Sequence, residues 1–238
     1  MSYNINTLKL DNIYHMDCLE GMKQIADRSI DCIICDLPYG TTKNVWDSII
    51  PLDLLWAQYK RIIKERGAIV LTCQMPFTAT LAASNLEMLK YEWIWIKSNP
   101  TGHLNANYAP MKIHENILVF SKSAACFVKN PEDAMTYNPQ YRKGKAYRCK
   151  NSTTSKNYDL AHQTPTETVQ DGMHYRPVDI IEFTSERNTF HPTQKPVNLI
   201  RYLIRTYSNE GGGNSRQLHG VWYHRHSRHQ RTPPLHRL

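Results

Sequence analysis

Apolar positions along the chain fall into alternating strand-like and helix-like stretches. The sharpest lies in residues 29–40, SIDCIICDLPYG, where Ile30, Cys32, Ile33, Ile34 and Cys35 make an apolar run long enough for one strand. Continuous rather than alternating hydrophobicity marks a parallel strand covered on both faces. Upstream, 12–16 reads as a strand and 18–26 as a helix with Leu19, Met22 and Ile25 on one face. Downstream, Asp53 is placed to cap a helix over 54–64 that Gly67 ends; 68–73 reads as a second buried strand and 77–90 as a helix. Residues 91–97 and 115–121, rich in aromatic and β-branched side chains, read as strands. A further helix is predicted over 197–207, with Leu199, Ile200, Leu203 and Ile204 on its apolar side. Strand and helix patterns that alternate in this way predict an α/β fold on a parallel or mixed doubly wound sheet.

In open α/β sheets ligands bind beyond the carboxyl ends of the strands. The 30–35 run stops there at Asp36, Leu37, Pro38 and Tyr39: a carboxylate, a rigid ring and an aromatic. Asp36-Leu37-Pro38-Tyr39 resembles the D-P-P-Y motif of the N4/N6 DNA amino-methyltransferases, with Leu37 standing for the first proline. Two further stretches carry the same resemblance. Trp95 and Lys97, then the loop 98–114, then His114-Glu115 and the apolar 117–120 follow the family's order of W-x-K strand, loop, H-E and strand. His114-Glu115 is not a zinc H-E-x-x-H motif, since position 118 is Leu; it also reads simply as a hydrogen-bonded loop end. His191-Pro192-Thr193-Gln194-Lys195-Pro196 resembles the segment that leads into the family's cofactor site. It reads equally as a proline-bounded helix start. With the acceptor motif first and the cofactor half last, the order is similar to the beta class, which includes phage-type adenine-specific enzymes.

The resemblance implies a Rossmann-like S-adenosylmethionine-dependent methyltransferase fold and transfer of a methyl group to an exocyclic amine in double-stranded DNA. A stacked amine is out of reach, so the base must be flipped into the site. Tyr39 would stack on it, while Asp36 and the Leu37 carbonyl accept the two amine hydrogens and Pro38 stiffens the turn. Transfer in line needs alignment rather than a covalent cysteine nucleophile. An Asp at position 36, in place of the Ser common in cytosine-N4 enzymes, favours adenine N6; cytosine N4 is the alternative enzyme. Asp36 could also serve only as a helix cap. For the cofactor, the resemblance points to Asp17, Thr193, Gln194 and Lys195; Asp17 reads equally as the N-cap of the 18–26 helix.

The resemblance also suggests a division of the chain. Residues 1–123 would be the catalytic half, 124–190 the target-recognition region and 191–211 the start of the cofactor half. Within 124–190, Tyr141, Arg142, Lys143, Lys145, Tyr147, Arg148, Lys150 and Lys156 cluster with no acid among them. Lys and Arg neutralise phosphates and tyrosines stack on bases; a solvated basic loop would look the same.

After residue 211 the family expects a strand and a glycine-rich turn. The chain instead reads GGNSRQLHGVWYHRHSRHQRTPPLHRL, with no evident apolar strand. A one-base shift of reading frame over 216–226 is compatible with DNCMGSGTTG, which resembles the family's cofactor turn. The expectation is a frameshifted, disordered basic tail over 212–238, and a fold lacking its central strands. The alternative is a genuine basic tail that binds nucleic acid or is disordered; the disrupted tail and the basic cluster also suggest a different class, a DNA-binding remnant without cofactor.

Composition changes this picture little. The 238 residues suffice for one α/β domain, and 41% are hydrophobic. The net charge of +8 suggests an anionic partner. However, the last 28 residues hold five Arg and no Lys, Asp or Glu, so without them the charge is +3. The six cysteines are scattered. Cys32 and Cys35 would point to opposite faces of one strand, and the set reads as buried free thiols rather than a metal site. With no signal-peptide pattern and no long apolar run, the expected location is the cytoplasm, without membrane contact. A restriction endonuclease partner is compatible with the resemblance; neither it nor the oligomeric state is specified by the sequence.

Overall fold

The computed structural model describes residues 12–41, 47–126, 128–150, 167–185, 194–209 and 217–221. In chain order these form α1 (Cys18–Lys23), β1 (Ile30–Asp36), α2 (Leu52–Ile62), β2 (Ile63–Cys73), α3 (Phe77–Ala83) and β3 (Leu89–Thr101). There follow β4 (Lys112–Ser121), β5 (Tyr147–Lys150), β6 (Glu167–Gln170), β7 (Ile180–Glu182), α4 (Val197–Tyr207) and β8 (Gln217–Val221). Six strands make one mixed sheet in the order β7-β3-β4-β2-β1-β8. β1 runs parallel to β2 and β8, β4 antiparallel to β2 and β3, and β7 parallel to β3. β5 and β6 pair separately as a two-stranded antiparallel sheet.

The period of two along each strand sorts side chains to two apolar layers. Ile33 and Cys35 of β1, Ile69 and Leu71 of β2 and Phe120 of β4 face α1, α2 and α3, where Met22, Leu55, Tyr59, Ile62 and Leu81 are buried. Cys32 and Ile34, Val70, Trp93, Trp95 and Val119 face the other way, onto Leu199, Leu203 and Tyr207 of α4. Cys32 and Cys35 therefore do point to opposite faces. Four of the six free thiols are buried, while Cys126 and Cys149 are exposed. In the second layer Trp93 Nε1 donates to the Tyr207 hydroxyl at 2.6 Å, which in turn lies 3.1 Å from the Tyr91 hydroxyl. Burial and the nearby Tyr91 hold the Tyr207 hydroxyl far above its ordinary pKa, so it stays a neutral donor and acceptor. Met135 and Ile181 also pack in this layer, and thereby anchor two points of the 124–190 segment on the main sheet.

Several boundaries differ from the sequence reading for definite reasons. Residues 12–16 form no strand; among the described residues they have no neighbouring strand to pair with. Asp53 lies in the first turn of α2, not at its cap, and Pro51 precedes the helix instead. Gly67 ends no helix, because β2 already starts at Ile63. A Cβ on Gly67 would lie 2.8 Å from the Asp31 carbonyl oxygen and from the Ile63 side chain. The glycine thus serves the close β1–β2 approach, where the register shifts between Ile30 and Cys32. The helix at 77 stops at Ala83 and passes through turns into β3. The expectation that the tail carries no strand is not met: β8 pairs with β1 from Cys32↔Gln217 to Asp36↔Val221. The buried edge of β1 needs backbone partners, and ladder bonds ask little of side-chain identity.

Gly67→Ala is expected to cost about 1–3 kcal/mol through overpacking against backbone. Urea denaturation should show a lower midpoint with an unchanged slope.

Candidate active site

The site is assembled where β1 ends. Asp36 is the last residue of that strand and lies opposite Thr72 of β2 and Val221 of β8. Leu37 and Pro38 are buried, so the chain turns tightly. Gly40 follows with φ +66°, and a Cβ there would meet Ile49 at 2.9 Å. Asp47 closes the loop by accepting from the amides of Gly40 and Thr41, one to each carboxylate oxygen, both at 2.9 Å.

Three donors converge on one oxygen of Asp36. The Tyr39 hydroxyl lies 2.8 Å from Oδ1, Thr72 Oγ1 donates to the same atom, and Lys195 Nζ sits 3.0 Å from it. Tyr39 Oη is also 3.1 Å from Thr72 Oγ1. Lys195, just ahead of α4, reaches Glu115 Oε2 at 3.1 Å, and Lys97 Nζ lies 3.4 Å from Glu115 Oε1. Side-chain exposures of 16% for Asp36, 12% for Glu115, 9% for Lys195 and 8% for Lys97 mark a largely dry cluster of two acids and two bases. Burial alone would depress the Lys195 pKa, but Asp36 and Glu115 outweigh it and raise it, so the ammonium is charged. Burial, then the charges of Asp36 and Glu115, push the Tyr39 hydroxyl well up, so it remains a proton donor. The Tyr39 ring stacks on Phe77 with centroids 5.8 Å apart, and Lys195 Nζ lies over it, 5.4 Å from its centroid.

Of the residues singled out from sequence, Asp36, Leu37, Pro38, Tyr39 and Lys195 are brought together. Gln194 is half-buried beside Lys195; Thr193 lies outside the described residues. Asp17 is the N-cap of α1, its Oδ1 accepting from the amides of Leu19 and Glu20. His114 is exposed while Glu115 turns inward. Thr72, Asp47 and Phe77 escape sequence reading. Thr72 could have been found only by aligning β1 with β2, which makes it the residue level with Asp36.

The basic cluster lies elsewhere in the chain, on exposed backbone. Tyr141, Arg142, Lys143, Lys145, Arg148 and Lys150 are all solvent-accessible. Arg142 pairs with Tyr175 by a bridge in both directions, and Arg148 and Lys150 ride on β5. Tyr141 and Arg176 line an open depression of about 410 Å³ with Val169, Gln170, Asp171 and His174. Among the described residues no group of three or more metal-binding side chains occurs, and no helix is long and apolar enough to cross a membrane.

A family model described as DNA methylase, for N6 and N4 enzymes, matches residues 30–213. The chain belongs to this family. The methylase is 27% identical over 211 residues to the DNA adenine methyltransferase YhdJ of Escherichia coli K12, spanning 84% of this chain and 68% of that protein. It is 22% identical over 229 residues to the type II methyltransferase M1.MboII of Moraxella bovis, spanning 85% and 81%. The solved PvuII DNA methyltransferase, cytosine-N4-specific, aligns at a TM-score of 0.54 and 13% identity over 87% of this chain and 79% of that one, and so shares the fold.

Members of this family take the methyl group from S-adenosylmethionine. Beyond Val221, level with Asp36, the sequence reads Trp222-Tyr223-His224-Arg225 without a glycine; these four lie outside the described residues. The glycine-rich turn expected from the sequence would let a cofactor approach the backbone closely.

Two outcomes are expected. Glu115→Gln removes a carboxylate shared by two buried ammonium groups and should cost about 3 kcal/mol. Adding Lys97→Met should recover part of that loss, which a double-mutant cycle on denaturant midpoints would register. In calorimetry, replacing 216–225 by DNCMGSGTTG should tighten S-adenosylmethionine binding by about tenfold or more relative to the chain as it stands; equal affinities would show that the residues at these positions do not limit binding.

Proposed function

We propose that this methylase modifies the N6 amine of adenine in double-stranded DNA, with Asp36-Leu37-Pro38-Tyr39 as the acceptor site. The observation that carries the reading is the dry carboxylate at the end of β1, with an aromatic hydroxyl and an ammonium gathered on it. An adenine extruded from the duplex would place its amine between Asp36 and the Leu37 carbonyl, each accepting one hydrogen. That geometry fixes the direction of the nitrogen lone pair, and alignment supplies much of the rate in a direct displacement. Tyr39, held by Phe77, by its hydroxyl bonds and under Lys195 Nζ, is the ring we assign to the base. S-adenosylmethionine supplies the methyl group, and Thr193 and Gln194, with Asp17, are the residues we assign to its side.

Tyr141, Arg142, Lys143, Lys145, Arg148 and Lys150 are assigned to DNA contact. Their exposure and charge suit phosphates, and the Tyr141 ring suits a base. Adenine is preferred to cytosine because position 36 is Asp and because the YhdJ relative is named an adenine methyltransferase.

The test is transfer of labelled methyl from millimolar S-adenosylmethionine to unmethylated genomic DNA, followed by mass analysis of the nucleosides. The expected product is N6-methyladenine, with a loss of about 100-fold or more in Asp36→Ala, on the scale seen when one transition-state acceptor or donor is removed. N4-methylcytosine would assign the chain to the other branch of the family. No transfer would refute the enzymatic reading of this chain.

A further inference from the structure

Asp36 carries more donors on one oxygen than that oxygen has lone pairs. A carboxylate oxygen offers about two in-plane sites, yet Oδ1 faces the Tyr39 hydroxyl, Thr72 Oγ1 and Lys195 Nζ at once. Among the described residues, Oδ2 receives no donor. Rotating the carboxylate would break three contacts together, in a cluster that water barely reaches. Lys195 is itself held from behind by Glu115, and Glu115 by Lys97.

We propose that Thr72 and Lys195 are positioning residues: by saturating Oδ1 they lock the Asp36 carboxylate and leave Oδ2 as the single oxygen that can accept a hydrogen from the target amine. The proposal rests on the reading that Asp36 grips that amine, and it moves Lys195 from the cofactor's side to the acceptor's. Neither residue touches the reacting atoms. Thr72 acts through the β1–β2 register that sets it level with Asp36, and Lys195 through the ion pair. A swivelling carboxylate would offer either oxygen, and the amine would lose its fixed direction.

The test needs neither cofactor nor recognition sequence. In a single strand the base is already free of the duplex, so binding is compared for short oligonucleotides of deoxyadenosine and of deoxynebularine, which lacks the exocyclic amine. A hydrogen bond to a charged acceptor should favour deoxyadenosine by about tenfold or more in the unaltered chain. Asp36→Ala should abolish the preference. Thr72→Val and Lys195→Met should each reduce it to about twofold or less. In Thr72→Val the affinity for deoxynebularine stays the same, since phosphate contacts lie elsewhere; for Lys195→Met, whose ammonium lies over the Tyr39 ring, only the ratio of the two affinities is read. Thr72→Ser and Lys195→Arg restore the donors and should restore most of the preference. If Lys195→Met does not fold, the Thr72 pair decides. Full preference in Thr72→Val and Lys195→Met, with none in Asp36→Ala, would overturn the positioning role and leave the acceptor reading intact. No preference in the unaltered chain, or an undiminished one in Asp36→Ala, would overturn the acceptor reading itself and the positioning role with it.

Discussion

The parallel pairing of β1 with β2 sets the site. Its register, Ile33 against Ile69 through Asp36 against Thr72, packs the apolar middles of both strands into two layers and leaves their last residues side by side. A hydroxyl thereby meets a carboxylate in a nearly dry place, where an unmatched charge would be costly. The need for compensation extends outward: the carboxylate takes Lys195, Lys195 needs Glu115, and Glu115 takes Lys97. β1, β4, β3 and the lead into α4 are thus tied by one chain of opposite charges. Each member is tolerable in the interior only because the next is present.

Much of this was legible in the sequence wherever the signal is local. The apolar run from Ile30, the helix over 197–207 and the strands around Trp95 and Ile117 are stated by hydrophobic spacing alone. The Asp36 turn is announced by its composition, and the family resemblance supplied the role proposed for it. What stayed hidden depends on pairing. Thr72 ends an apolar strand and looks like any β-branched residue until the register sets it against Asp36. Glu115 sits beside His114, and nothing local says which of the two turns inward. Phe77 reads as the start of a helix and gives no sign that its ring will meet Tyr39.

The tail shows the same division from the other side. Judged by side chains, 217–221 is a poor strand, with His219 and Gly220 in its middle. Judged by backbone, it fills the free edge of β1 in register. Hydrogen-bond demand at a buried edge accepts a sequence that propensity would pass over.

One feature of α4 bears on the order in which the site comes together. Lys195 immediately precedes the Pro196 cap of that helix, and α4 is fixed by Leu199, Leu203 and Tyr207 against the far layer of the sheet. On the ribosome, Asp36 and Glu115 are made long before residue 195 emerges. Until α4 docks, Asp36 lacks the ammonium that its largely buried position calls for, while Glu115 has only Lys97. The acid cluster is therefore completed only when that helix reaches the sheet and brings Lys195 to both carboxylates.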